Sequence, residues 1–161
     1  MEVFTINHLN FAYPEQEKNA ISDLTLSVRP GEFLVLCGPS GCGKTTLLKQ
    51  AKRELRPAGS REGQVLYQNT PVDMLDAEMA FTEIGYVQQN PEDQIVTTIT
   101  EDDVAFGPEN LAIAHDDIDM RIAMSLDAVD MSGQREADPT RMSGGQQQRV
   151  AIARALVNEP K

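Results

Sequence analysis

One stretch decides the predicted fold of this chain: Gly38-Pro39-Ser40-Gly41-Cys42-Gly43-Lys44-Thr45-Thr46. The apolar run 33–37 comes before it and predicts a buried strand, and residues 47–52 predict a helix that begins near Gly43. A strand, a glycine-rich turn and a helix form the context in which the spacing G-x4-G-K-T makes a phosphate-binding loop. The simpler alternative is a glycine turn with an exposed lysine.

The chemistry of this loop suits a nucleotide phosphate. Glycines let the backbone wrap closely around an anion, so that successive N–H groups point inward. The start of the following helix adds unpaired N–H groups and the positive end of its dipole. We expect Lys44 to reach the β- and γ-phosphates and the Thr45 hydroxyl to hold Mg²⁺, which prefers oxygen ligands.

Composition limits the other functions that the chain can have. The chain of 161 residues fits one domain, and its 25 acidic and 14 basic residues give a formal net charge of -11. This charge argues against duplex nucleic acid as a partner. Cys37 and Cys42 do not resemble a structural disulfide, which favours a reducing cytosol. No apolar run approaches the length of a transmembrane helix.

The hydrophobic pattern predicts an α/β chain. Alternation over residues 3–9 and 21–28 predicts two strands that form an antiparallel lead-in to the sheet. Two further short strands are predicted over 64–68 and 84–87. A brief helix is predicted over 74–81, and an amide-rich loop over 88–94.

Residues 98–139 predict a small helical subdomain. Thr100 and the three acids that follow it indicate a capping box at a helix start. A second helix is predicted over 118–129, with an apolar stripe on one face.

Ser143 comes before the last predicted helix. Residues 150–157 of this helix are apolar nearly all round, which predicts burial. Ser143 is either an ordinary N-cap or part of a second anion-binding helix terminus.

The motifs together resemble a known family. The phosphate loop 38–46, the glutamine loop 84–94 and the signature 142–146 occur in the order seen in the nucleotide-binding subunits of ATP-binding-cassette (ABC) transporters. Segments 89–94 and 104–111 are similar to the energy-coupling-factor group, the cobalt- and vitamin-importer ATPases. The resemblance implies a P-loop NTPase (RecA-like) core over 1–95, a helical subdomain over 96–140, and a return to the core over 141–161.

The resemblance also implies roles for residues outside the phosphate loop. Tyr13 matches the aromatic residue that stacks on adenine, although its spacing alone indicates a half-buried turn residue. Gln89 matches the glutamine that contacts Mg²⁺ and the attacking water. The signature residues that would contact the ATP of a partner subunit are Ser143, Gly144, Gly145 and Gln146. A second ABC ATPase subunit and a transmembrane transporter subunit are the implied partners, at the cytoplasmic face of the membrane.

One departure from the family pattern concerns catalysis. In the family that the chain resembles, an apolar strand that ends in Asp-Glu follows the signature helix, and these two acids hold Mg²⁺ and polarise the attacking water. No four apolar residues followed by Asp-Glu occur in these 161 residues, so neither the Mg²⁺ aspartate nor the catalytic base is expected here. We therefore expect a fragment of a longer ATPase, truncated before that strand and inactive alone. Two alternatives are a non-transport ABC ATPase of the DNA-repair or chromosome-structure kind, which needs a long coiled coil, and a P-loop small-molecule kinase, which the signature argues against.

Overall fold

The structure, a computed structural model, describes residues 2–161. The chain forms two compact units, one ending at Asp76 and the other spanning Ala77–Lys161. The strands lie in the first unit and most of the helices in the second.

The first unit is built on an antiparallel sheet. Its strands are β1 (Phe4–Ala12), β2 (Ile21–Val28), β3 (Ser60–Tyr67) and β4 (Thr70–Pro71), in the order β2-β1-β3-β4. The antiparallel pairing of β1 with β2 confirms the predicted lead-in. β1 and β3 both extend beyond their predicted bounds because they pair with each other along most of their length. The sheet buries Leu9, Phe11, Val65 and Tyr67.

The phosphate loop leads into the helix α1 (Lys44–Gln50), as predicted, but the apolar run before it is not a strand. Phe33 is 92% exposed, Leu34 42% and Val35 63%, so the predicted burial is also wrong. A strand requires hydrogen-bonded neighbours, and none of the sheet strands described in residues 2–161 pairs with this run. Its backbone is therefore irregular.

The segment around the glutamine loop also differs from its prediction. The strand predicted over 84–87 is wrong, since the chain there is irregular and pairs with no described strand, although Ile84 is buried. The brief helix predicted over 74–81 is two pieces, a 3₁₀ turn at Val72–Met74 and the helix α2 (Ala77–Thr82). The separation follows from the extended backbone at Leu75, which ends the 3₁₀ turn.

The second unit packs three longer helices around one apolar cluster. They are α3 (Thr100–Asn110), α4 (His115–Asp127) and α5 (Gly144–Leu156). The apolar stripe predicted on the second helix is confirmed, because three of its members are buried in the cluster. The cluster contains Val104, Ala105, Ile118, Ile122, Leu126, Met131, Val150, Ala153 and Val157.

Two details of these helices correct the predictions. Thr100 does not form a capping box: it is fully buried inside the first turn, and its hydroxyl donates to the Ala137 carbonyl at 2.9 Å. The three acids that follow do lie in the first turn, where the helix dipole favours them. α5 is not buried all round, because Leu156 is 39% exposed and Ile152 and Ala155 are only partly buried. Among residues 2–161, no helix is both long enough and apolar enough to cross a bilayer.

Candidate functional site

The phosphate loop has the backbone geometry that its glycines predict. Gly41 and Gly43 have φ of 81° and 93°, in the left-handed region that side chains with a Cβ rarely adopt. A Cβ at Gly43 would lie 2.5 Å from the Ala20 carbonyl oxygen, just before β2. Glycine is therefore required at Gly43 both by the turn and by the close approach of the backbone.

Lys44 holds its ammonium group over the loop. Its Nζ donates to the carbonyl oxygens of Gly38 and Pro39, both at 2.8 Å. These contacts are solvent-exposed, so phosphate oxygens can replace the carbonyl oxygens without leaving a buried group unpaired. The Lys44 ammonium group therefore lies at the loop and is available for a charge-assisted hydrogen bond to an anion.

Tyr13 is tied to the same helix. Its hydroxyl lies 2.9 Å from the Thr46 hydroxyl, and its ring contacts Phe11 edge to face with the centroids 5.1 Å apart. Thr46 is 7% exposed and Tyr13 is partly buried, so the hydroxyl pair is partly shielded from water. The structure thus brings the predicted adenine-stacking ring to the phosphate-loop helix, 33 positions along the chain.

The donor set fits a magnesium ion that arrives with a nucleotide. Thr45, the second residue of α1, supplies a hydroxyl oxygen. Within residues 2–161, no group of three or more His, Cys, Asp or Glu residues could hold a metal ion. Mg²⁺ commonly binds through one or two protein oxygens together with phosphates and waters, and rarely in an all-protein cage. The residues of this unit therefore fit Mg²⁺ bound to phosphate.

The glutamine loop lies in the second unit and is fixed by Gln94. The Gln94 side chain accepts from the backbone N–H of Gln88 at 2.7 Å and donates to the Tyr86 carbonyl at 3.3 Å. Gln89, the residue assigned by the family resemblance, is exposed and follows this anchored position directly. The role of Gln94 was not predicted from the sequence, in which the only signal for it was the amide-rich composition of the loop.

The signature forms the capped N-terminus of α5. Ser143 is the N-cap: its hydroxyl accepts from the Gln146 N–H at 3.4 Å, and the Gln146 side chain accepts from the Ser143 N–H at 3.1 Å. A Cβ at Gly144 or Gly145 would meet no atom within 4 Å. The N-cap prediction is confirmed, and neither glycine is needed by the packing of this chain.

Asp138, shortly before the signature, is the N-cap of a 3₁₀ turn (Pro139–Arg141). The pKa of its carboxyl group lies below the usual value, first because the side chain and backbone of Thr140 donate hydrogen bonds to it and then because Arg141 is nearby. The charged form is therefore favoured, and it fixes the turn that leads into Ser143.

A second group of polar residues was not assigned from the sequence. Asp103 is 1% exposed, and its Oδ1 accepts from the N–H groups of Val96 at 2.7 Å and Thr97 at 3.1 Å. Arg154 of α5 lies beside it and also donates to the Gln94 carbonyl. The sequence marked Asp103 only as a helix-dipole charge, since contacts between residues 51 positions apart leave no local pattern.

The chain is similar in sequence to ATP-binding proteins of ABC transporters. The ABC transporter family model matches residues 21–161. An ABC transporter ATP-binding protein of Bifidobacterium longum is 45% identical over 96% of this chain and 20% of its own length. An energy-coupling factor transporter ATP-binding protein of Clostridioides difficile is 40% identical over 99% of this chain and 57% of its own length. The chain thus spans less than two thirds of each of these relatives.

Two solved structures share the fold. The cbiO1 protein of Clostridium perfringens, described as part of the ABC transporter complex cbiONQ, has a TM-score of 0.85 and 29% identity over 99% of this chain and 63% of that chain. A dimeric bacterial ABC transporter cassette has a TM-score of 0.83 and 28% identity over 98% of this chain and 70% of that chain. The chain therefore belongs to the ABC transporter family of ATP-binding proteins and has its P-loop NTPase fold.

Proposed function

We propose that this chain is the nucleotide-binding part of an ATPase subunit of an energy-coupling-factor importer. In this proposal, ATP binding and hydrolysis drive transport of a metal ion or vitamin across a membrane. The observation that carries the proposal is that one chain contains both a glycine-built phosphate loop and a capped α5 terminus whose two glycines face open space. The similarity to energy-coupling factor ATPases supports the choice of group.

The first unit would bind ATP. Lys44 would exchange its two carbonyl contacts for phosphate oxygens, and the N–H groups of the loop would hold the remaining negative charge. The Tyr13 ring would stack on adenine, held in place by its bond to Thr46. Thr45 would supply an oxygen to Mg²⁺, with Gln89 as a further proposed contact. When bound, Mg²⁺ would neutralise charge on the phosphates.

The signature would serve the ATP of a second subunit. Because a Cβ at Gly144 or Gly145 would meet open space, a phosphate of another protomer can approach the backbone N–H groups of α5 closely. Ser143 and Gln146 would contribute polar side chains at the same terminus. The proposal therefore includes a dimer of ATPase subunits, homomeric or heteromeric, in which each signature faces the phosphate loop of the partner.

We further propose the division into a core over 1–95, a helical subdomain over 96–140 and a returning segment over 141–161. The subdomain would dock on a transmembrane transporter subunit, placing the protein at the cytoplasmic face of the membrane. A non-transport ABC ATPase is less well supported, since α3 and α4 have 11 and 13 residues and do not supply a long coiled coil between Gln89 and Ser143.

The experiment that tests the proposed function uses a parent-length protein that contains this chain. Tagged protein is purified from detergent-solubilised membranes, and its partners and phosphate release are measured. We expect a transmembrane subunit and a second ATPase subunit to co-purify, with phosphate release abolished by Lys44→Ala. Purification of the protein without any membrane partner would contradict a role in transport.

The same measurement extends to residues 1–161 alone. We expect negligible phosphate release from this chain, because no Asp-Glu pair follows an apolar strand within it to position metal and water. Hydrolysis as fast as that of the parent-length protein would contradict this expectation and would assign the base to a carboxylate already present.

A further inference from the structure

Arg154 links two segments of the second unit that are far apart in sequence. It lies in the last turn of α5, the helix that begins at the signature. Its Nη1 donates to the Gln94 carbonyl oxygen, at the end of the glutamine loop, and lies 3.5 Å from Oδ2 of Asp103 in α3. The side chains of Arg154 and Asp103 are 19% and 1% exposed, so both charged groups are largely removed from water.

Asp103 fixes the segment that follows the glutamine loop. Its Oδ1 accepts hydrogen bonds from the backbone N–H groups of Val96 and Thr97, while its Oδ2 faces Arg154. Burying a carboxylate is costly unless it is paired and hydrogen-bonded, and here both oxygens have partners. Removing Arg154 would leave this buried charge without the ion pair, so the segment around Val96 depends on both residues.

Gln94 extends the connection into the loop itself. Its carbonyl is held by Arg154, and its side chain holds Gln88 and Tyr86. Gln89 follows Gln88 directly, so the proposed ATP-contacting glutamine is one residue from an anchored position. We name Gln94, Asp103 and Arg154 the loop clamp.

We propose that Arg154 and Asp103 are positioning residues, and that the loop clamp makes the glutamine loop and the signature helix move together. Gln89 and Ser143 then respond to nucleotide as one body. This inference rests on the proposed function, because the role of Gln89 in ATP hydrolysis comes from it. It adds residues that lie outside the phosphate loop and outside the signature in the sequence.

The chemistry of the clamp requires arginine. The Arg154 guanidinium donates to a carbonyl, faces a carboxylate and stands over the Phe106 ring with 5.2 Å from its Cζ to the ring centroid. A planar fork that stays charged can make these contacts together, whereas lysine is a compact, strongly hydrated point charge. Arg154→Lys is therefore a mild variant that retains the positive charge and removes the planar set of donors.

Hydrogen exchange tests the physical link in both the 161-residue chain and the parent-length protein. We expect the amides of Val96 and Thr97 to exchange about tenfold faster in Arg154→Lys, the factor that corresponds to loss of one charge-assisted hydrogen bond. The Val150 amide inside α5 should be unchanged. The control is Arg121→Lys, which alters the ion pair between Arg121 and Glu159 on another face.

Asp103→Asn is the second variant, because it retains the shape of the side chain and removes its charge. It too should speed exchange at Val96 and Thr97. Unchanged exchange at these amides in both variants would overturn the clamp.

A double-mutant cycle tests whether the clamp acts through Gln89. In the parent-length protein, kcat and KM for ATP are measured for Gln89→Ala, Arg154→Lys and the double variant. We expect Arg154→Lys to lower kcat about tenfold, with KM changed less than twofold. The double variant should match Gln89→Ala, since Arg154 would then have nothing left to position.

The outcomes separate the two proposals. Multiplied losses in the double variant would show a general structural contribution and would overturn the positioning role. A wild-type parent-length protein that does not hydrolyse ATP would contradict the proposed function, and the exchange measurement alone would then decide the clamp.

Discussion

The hydroxyl groups of Tyr13 and Thr46 lie 2.9 Å apart, so the loop after β1 is bonded to the first turn of the helix α1. The aromatic ring is thereby fixed by polar contact to the element that would carry the phosphates. One side chain thus has two separable parts, a ring that carries the proposed stacking on adenine and a hydroxyl that is bonded to Thr46.

Substitution of Tyr13 should separate these parts. We expect Tyr13→Phe to lower the free energy of unfolding by about 1 kcal/mol, the value of one hydrogen bond, with a small effect on ATP affinity. Tyr13→Ala should weaken ATP binding about fivefold, because a stacking contact is worth roughly 1 kcal/mol. Thermal unfolding and fluorescent-nucleotide titration measure the two effects, with Tyr86→Phe as the control. Equal nucleotide affinity for the phenylalanine and alanine variants would contradict stacking.

Removal of the Lys44 ammonium tests the phosphate loop. We expect Lys44→Ala to weaken ATP binding about 10- to 150-fold, since a charge-assisted contact to phosphate is worth roughly 1.5–3 kcal/mol. Nucleotide titration checks the affinity. Lys49→Ala, on the same helix, is the matched control and should bind like the wild type. If Lys44→Ala binds equally well, loop 38–46 is not the phosphate site.

The sequence predicted the elements whose signals are local. The glycine spacing predicted the loop that ends at Gly43, the polar pattern at Ser143 predicted the N-cap, and alternation predicted the antiparallel lead-in. The runs 33–37 and 84–87 were predicted as strands because their residues are apolar, but strand formation depends on partners elsewhere in the chain. Arg154 and Asp103 were missed for a related reason: a buried ion pair between two helices has no short-range pattern.

Alanine at Gly145 should affect stability and assembly in opposite directions. A Cβ there meets open space, so Gly145→Ala should stabilise α5 by roughly 0.5–1 kcal/mol through helix propensity. It should also weaken ATP-driven dimerisation of the parent-length protein, because the methyl group would stand between the helix backbone and the phosphate of the partner. Gly133→Ala, at a position with equally open space, is the control. Thermal unfolding and size-exclusion chromatography measure the two effects; unchanged dimerisation would show that no phosphate approaches Gly145.

A larger change at Ser143 tests the role of the signature in trans. We expect Ser143→Arg to leave monomeric nucleotide binding unchanged and to block ATP-driven dimerisation. The arginine would occupy the space of the partner's phosphate and remove the N-cap, which costs about 1 kcal/mol of helix stability. Size-exclusion chromatography of the parent-length protein with ATP, under conditions that suppress hydrolysis, gives the result. Ser143→Ala controls for the lost cap, and normal dimerisation of the arginine variant would contradict the assignment.

The Asp73 carboxyl group should make the free energy of unfolding depend on pH in acidic solution. Burial raises the pKa of its carboxyl group, but hydrogen bonds from Arg61 and Arg56 outweigh burial and hold it below the ordinary value. A lowered folded-state pKa contributes stability above the unfolded pKa of about 3.9, and this contribution is lost as pH falls through the folded value.

Asp73→Asn should therefore be less stable than the wild type at pH 7 by up to about 1 kcal/mol, because the pair is partly exposed. The difference should disappear in strong acid. Urea unfolding from pH 7 down to pH 2 tests this, with the exposed Glu62→Gln on β3 as the control. A difference between the variants that stays constant with pH would rule out the ionic contribution.

The length of α5 has a mechanical consequence. Ser143 and Arg154 stand at opposite ends of this one helix, separated by about 16 Å at 1.5 Å per residue. A tilt of about 10° about the Arg154 end would displace Ser143 by about 3 Å, roughly the length of one hydrogen bond. In the proposed dimer the helix would therefore act as a rigid arm, and a small rotation about its Arg154 end would bring the signature into or out of contact with the phosphate of the partner.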